Sequence, residues 1–220
     1  MEEPTKHLTI SHYNKQFGHL FKYILSHHGN VNKLTIGKIE KIYLSDYDND
    51  SIVITFKMRD IPLPLDKIIL YPDELNGKYK DNTKKLNQFL LLASRNANKS
   101  LLKVNTCLSP RTLADFLVLL VVPLPIVCYI YKPLLLLIPI IGSILYDNEV
   151  YLITIIILEI LCHIIESIIF ITPLLSYYSI PIDLQVEWYV WGLLEGYSPV
   201  RRLNAFAKPK ELELIQNLSN

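Results

Sequence analysis

The chain has 220 residues, half of them apolar, and a net charge of +1. That length accommodates one or two domains, and the near-neutral balance, with no basic-aromatic constellation, argues against a nucleic-acid partner. Its three cysteines, Cys107, Cys128 and Cys162, are odd in number and lack metal-ligand spacing, which argues against a disulfide framework and leaves buried thiols.

The first residues, MEEPTKHLTISHYN, are acidic and then mixed. They lack the basic and apolar regions of a cleavable signal, so the soluble part is expected to stay on the cytosolic side. From His7 to His28, Ile10, Tyr13, Phe17, Leu20, Phe21, Ile24 and Leu25 recur at spacings of three and four. This predicts an amphipathic helix closed by Gly29-Asn30. Leu34–Leu44 alternates and is β-branched, Asp46–Asp50 is a polar turn, and Ser51–Phe56 returns, which together predict a hairpin. Leu65–Tyr71 reads as a third strand after Pro62-Leu-Pro64, and Asp81–Asn98 restores helical spacing through Leu86, Phe89, Leu90 and Ala93. The order α-β-β-β-α gives an α+β domain with two helices on one small antiparallel sheet.

The segment Ile10-Ser-His12-Tyr-Asn14, the hairpin around Leu44-Ser-Asp46 and the run Ile68-Ile-Leu-Tyr-Pro72 resemble a domain of unknown function, number 2470. That domain is found in haem-utilisation and pyridoxamine-phosphate-oxidase-like proteins. The resemblance covers about residues 6–98 and implies a contribution to haem binding. The family's first helix carries His-x-Asn-x-Asp-His; here His12 and Asn14 match, while Gln16 and Phe17 stand at the other two positions. His12 and His19, seven apart on one helix face, are the candidate haem or metal ligands; the residues themselves assign no cofactor. His27 and His28 fall at the helix end, where the dipole favours a cation. Lys78–Lys85 is a basic-polar run, read either as a solvated helix start or as a face apposed to an anionic membrane.

After a linker over 101–111 the solvent changes. Residues 112–200 are dominated by Leu, Ile, Val, Tyr and Pro, the pattern of membrane helices that satisfy their own backbone. Phe116–Tyr131, interrupted by Pro123-Leu-Pro125, is a first segment. Leu134–Tyr146 is a short second one, either spanning or re-entrant. Val150–Thr172 is the strongest span, and Leu184–Tyr197, with Trp188, Tyr189, Trp191 and Tyr197, is a fourth. This predicts an all-α transmembrane bundle of about four helices, followed by a basic then polar tail over 201–220. Lys99, Lys103 and Arg111 precede the bundle, and Arg201, Arg202, Lys208 and Lys210 follow it. Both ends are therefore expected in the cytosol.

Within the third segment Glu159, His163 and Glu166 share one helix face, and Glu187 and Glu195 on the fourth are expected to approach them. Ionisable groups inside a span face the bundle interior, where they serve as interhelical polar glue, a binding or proton-handling site, or an acid-base pair. The run His163-Ile-Ile-Glu166-Ser167, then Trp188-Tyr-Val-Trp191-Gly and Glu195-Gly196-Tyr197-Ser198, resembles the transmembrane protein 254 family over about residues 115–205. That likeness implies a small multi-helix membrane fold and no particular activity.

No nucleotide loop, zinc-ligand set, nucleophile elbow or kinase signature is present in the sequence. The expected function is a non-enzymatic binding or interaction protein of the endoplasmic reticulum membrane. Its partners would be membrane lipids and a protein docked on its cytosolic domain. The alternatives are a haem or hydrophobic-ligand binder and an intramembrane lipid-modifying enzyme.

Overall fold

The computed structural model describes residues 3–219; Met1, Glu2 and Asn220, which fall in the predicted 1–100 and 201–220 segments, lie outside it. The chain forms two compact units. One runs to Val104 and adds Tyr177–Ser179 and the residues from Ala207 on; the other comprises Asn105–Ser176 and Ile180–Phe206.

In the first unit, helix α1 (Glu3–Phe17) ends in a 3₁₀ turn at Gly18–Leu20 and resumes as α2 (Phe21–His27). The single predicted helix is thus two, although the same apolar stripe is buried: Phe17, Leu20, Phe21, Ile24 and Leu25. The left-handed residue that ends it is Asn30 (φ 50°). Residues 33–37 differ from the predicted strand and form a short helix α3 (Lys33–Gly37), because the Asn32 side chain accepts the Leu34 N–H at 3.1 Å and caps it. The sheet follows as β1 (Ile39–Tyr47), β2 (Ser51–Met58) and β3 (Leu65–Leu70), antiparallel in the order β1-β2-β3. Asp48 closes the hairpin by accepting the N–H groups of Asp50 and Ser51 at 2.8 and 2.7 Å.

Alternation on β2 sends Ile52, Ile54 and Phe56 to the inner face. There they meet α2 and helix α4 (Asn82–Ala97), which contributes Leu86, Phe89 and Leu90. Lys85 is 1% exposed on the same helix, donating to the Asn49 carbonyl at 2.5 Å with its ammonium 5.2 Å from the Tyr71 ring centre. That pairing with a carbonyl and an aromatic face allows a cation to be buried. Burial chiefly pushes the Tyr13 phenol up to about 12, with Tyr47 adding to it.

The second unit is helical: α5 (Leu113–Val121), α6 (Leu124–Ile130), a 3₁₀ stretch Lys132–Leu137, α7 (Ile141–Asp147), α8 (Glu149–Glu166), a π-helical turn Ser167–Ile171, α9 (Thr172–Tyr177) and α10 (Ile182–Glu195). Helix α11 (Ser198–Ser219) contributes residues to Phe206 here and residues from Ala207 to the first unit. The predicted tail is therefore helical through Ser219.

Only two stretches among the described residues are long and apolar enough to cross a membrane, Leu113–Ile130 and Glu149–Tyr177, each with mean hydropathy 2.4. This corrects the count of about four. The second predicted segment is broken at Pro139-Ile140, where Ile140 has φ 68°, leaving the seven-residue α7. The fourth becomes α10, 14 residues long with Asp183, Glu187 and Glu195 in it. Chain pairing gives an independent reason. Ser100 donates its N–H to the Tyr177 carbonyl at 2.9 Å and Val104 to that of Tyr178 at 3.1 Å, so both flanks of 105–176 share one unit. Any membrane crossed between them is crossed an even number of times, and three crossings before Tyr177 are incompatible with that.

Candidate functional site

Two separate groups of polar residues in the helical unit combine candidate or buried ionisable side chains. Thr112 opens α5 through a reciprocal cap: its hydroxyl accepts the Asp115 N–H at 3.2 Å while Asp115 accepts the Thr112 N–H at 3.0 Å. The same carboxylate oxygen takes the Arg111 N–H at 3.2 Å, and the other takes Arg201 Nη2 at 3.0 Å. Asp115 is 0% exposed, so this cap lies inside the unit.

Beside it, Glu195 is 3% exposed and receives both terminal nitrogens of Arg202 in a fork, one of them at 3.2 Å. Arg202 also donates Nε to the Leu108 carbonyl at 3.1 Å and comes within 3.7 Å of Asp115. Two buried carboxylates are thus balanced by two guanidiniums, and every oxygen is engaged. Such a cluster is a lock between helix ends, because each buried carboxylate is held by charge-assisted hydrogen bonds from groups on other segments.

The second group lies at mid-length in the longer apolar stretch. His163 pairs Nδ1 with the Leu193 carbonyl at 2.8 Å. A Cβ placed on Gly196 would fall 2.6 Å from Glu166 Oε2 and 3.1 Å from His163 Nε2, so both side chains close on that glycine. Gly196 has φ 60° and donates to the Gly192 carbonyl at 2.8 Å. The structure therefore brings His163 and Glu166 together at the end of α10, with Glu159 near enough to His163 to interact electrostatically. The π turn directly after Glu166 is steadied by Thr172, whose hydroxyl donates to the Ser167 carbonyl at 3.1 Å and pairs with the Tyr189 hydroxyl at 2.9 Å. Replacing Gly196 with Ala is expected to cost about 1–3 kcal/mol from backbone strain alone, read as a lower thermal midpoint of the detergent-solubilised chain.

Glu187 and Glu195 do not join this group. Glu195 is held by Arg202, and Glu187 is exposed, accepting the Cys107 thiol. Burial, and then the Glu187 carboxylate, push that thiol up to about 11, which keeps it protonated and unreactive.

The two predicted haem or metal candidates are also apart in role. His12 is exposed on α1, while His19 is half-buried in the 3₁₀ turn with Nε2 against the Ser100 carbonyl at 2.9 Å. Among the described residues no group of three or more His, Cys, Asp or Glu side chains is placed to hold a metal ion. Burial lowers the His19 pKa below the usual imidazole range, the Ser100 hydrogen bond opposing it, and burial lowers His28 as well. A depressed His resists protonation in the folded chain while the unfolded chain takes up the proton. Stability is then complete above about pH 6.5 and falls as pH drops through the window below it. The thermal midpoint is expected to decline from pH 7 to pH 5, and His19→Gln to flatten that decline.

Residues 112–209 match the YDR476C-like C-terminal domain. Over 184 residues the chain is 34% identical to the Uncharacterized protein YDR476C of Saccharomyces cerevisiae, covering 77% of this chain and 82% of the yeast protein. The chain belongs to the YDR476C-like family. The family's C-terminal domain begins at the Thr112 cap and contains the Asp115–Arg202–Glu195 lock, both apolar stretches and the His163–Glu166 pair. The yeast alignment is longer than that domain and so extends into the α+β unit. No solved structure matches the chain.

Asp115 and Arg202 are site residues beyond those predicted from the sequence. Asp115 was legible in the Thr112-x-x-Asp115 box that precedes an apolar run. Arg202 reads in the sequence only as flanking positive charge, since nothing local distinguishes it from Arg201.

Proposed function

We propose that this member of the YDR476C-like family is an integral membrane protein. It uses two crossings to carry an α+β binding or docking unit at the cytosolic surface. The supporting observation is exposure: in the most apolar 18 residues of each stretch only 11% are buried, whereas a core helix of equal hydropathy would be enclosed. Side chains such as Leu120, Ile130, Ile157 and Ile168 need hydrocarbon around them. Two crossings leave the cations before Thr112 and after Val200 on one side, which the positive-inside rule assigns to the cytosol. The first crossing, 18 residues, reaches about 27 Å at ~1.5 Å per residue and suits the thin bilayer of the endoplasmic reticulum.

A binding role is favoured over catalysis because the two buried acids of the helical unit are engaged in holding its helix ends. Asp115 and Glu195 are fully paired. The likenesses to the domain of unknown function 2470 and to the transmembrane protein 254 family belong with this proposal, as they rest on short motifs. Fractionation tests it. The full chain is expected in the high-speed pellet, to stay there in alkaline carbonate, and to be released by detergent. Recovery in the carbonate supernatant would overturn the reading.

A further inference from the structure

The α+β unit contains a cavity of about 280 Å³, lined by both polar and apolar side chains, that neither the membrane anchor nor the two helical polar groups use. Arg95, Asn98 and Lys99, at the end of α4, line it together with Tyr177 and Glu211. Three features bear on what it holds.

The first is depth. Tyr177 is the last residue of the longer apolar stretch and is tied to this unit by the Ser100–Tyr177 backbone bond. A tyrosine ending a span lies at headgroup level, so a cavity walled by it opens there.

The second is positive charge at a helix end that would otherwise repel anions. The α4 carbonyls of Ser94 and Arg95 already accept the N–H groups of Lys99 and Asn98 at 3.0 and 3.1 Å. Capping blunts the negative end of the helix, and Arg95, exposed and without an ion-pair partner among the described residues, is left with its guanidinium fork available.

The third is a carboxylate in the same lining. Glu211 is held in place by the hydroxyls of Tyr177 at 2.7 Å and Tyr178 at 3.4 Å. Burial and Glu211 raise the Tyr178 phenol to about 12, so it remains a donor.

Two cations and one fixed carboxylate around a single cavity at this depth suit a ligand carrying a phosphate and a primary ammonium a short distance apart. We propose that the cavity binds the phosphoethanolamine headgroup of a bilayer lipid, Arg95 taking the phosphate in a bidentate pair and Glu211 accepting from the ammonium. This rests on the membrane reading above. A purely anionic headgroup would face Glu211 unfavourably, and a choline headgroup offers no N–H to it.

The test is native mass spectrometry of the full chain, purified in mild detergent and exposed to equal amounts of phosphatidylethanolamine, phosphatidylcholine and phosphatidylglycerol. Phosphatidylethanolamine is expected to be retained preferentially. Loss of a charge-assisted hydrogen bond in Arg95→Gln or Glu211→Gln is expected to cut that retention about tenfold. Arg95 is exposed, so its variant leaves folding intact, and Gln at 211 still accepts from a tyrosine hydroxyl. Equal retention of the three lipids, or unchanged retention in both variants, would overturn the proposal. So would full displacement by water-soluble glycerophosphoethanolamine, which would assign the site to the free headgroup. Fractionation of the same preparation separates the two readings: a chain that pellets with membranes yet shows no lipid preference sinks this proposal alone, and a chain that needs no detergent sinks both.

Discussion

Phe89→Ala is expected to destabilise the α+β unit by about 3–5 kcal/mol, a large part of the ~5–15 kcal/mol that holds a typical domain together. Phe89 is 0% exposed on α4, and its ring stands edge-on to Tyr71 at 5.4 Å and to His28 at 5.0 Å. Truncation removes the apolar burial and both ring contacts, and leaves a void between α4 and the sheet that the rigid neighbours cannot close. Phe89→Leu retains most of the volume and is expected to cost less than half as much. Denaturant unfolding of the detergent-solubilised chain, followed by tyrosine fluorescence, gives both values. Neither variant is expected to alter membrane pelleting, because Phe89 lies outside both apolar stretches.

Arg202→Met is expected to be as damaging, by about 3–5 kcal/mol, for a different reason. It removes the guanidinium that satisfies Glu195 on both oxygens and approaches Asp115, leaving a carboxylate enclosed without a counter-charge. The control is Glu195→Leu combined with Arg202→Met. Deleting both charges and filling the space with apolar atoms is expected to recover most of the loss, since a buried ion pair contributes little beyond its own desolvation. The thermal midpoints of the single and double variants decide it. If the single variant matched the wild-type chain, Glu195 would have to be neutral or solvated.

The α-β-β-β-α order was legible because each element obeys a local rule. Period two on β2 buries Ile52, Ile54 and Phe56, and period near 3.6 on α4 buries Leu86, Phe89, Leu90 and Ala93. Local rules also explain the misses. Residues 33–37 carry β-branched side chains, yet Asn32 supplies a cap that outweighs them over one turn. Leu134–Tyr146 has the composition of a span, and composition does not register the break at Pro139-Ile140. In the candidate site, His163 and Glu166 were found because spacings of three and four are a property of a single helix. Glu195, expected to approach them, pairs with Arg202 seven residues on, across the turn at Gly196. Pairings made around a turn leave no periodic trace.

The α+β unit is assembled from three separated stretches of sequence, so no ribosome can finish it early. Its last contributions, including Glu211 and the buried Leu218, emerge only after the intervening hydrophobic hairpin has left the exit tunnel. Until then Leu91 and Leu101, which share a lining with Ile215, lack part of their eventual surroundings. A nascent chain stalled before the final helix therefore lacks Glu211 and Leu218, and a fragment cut at the end of the N-terminal stretch lacks them permanently.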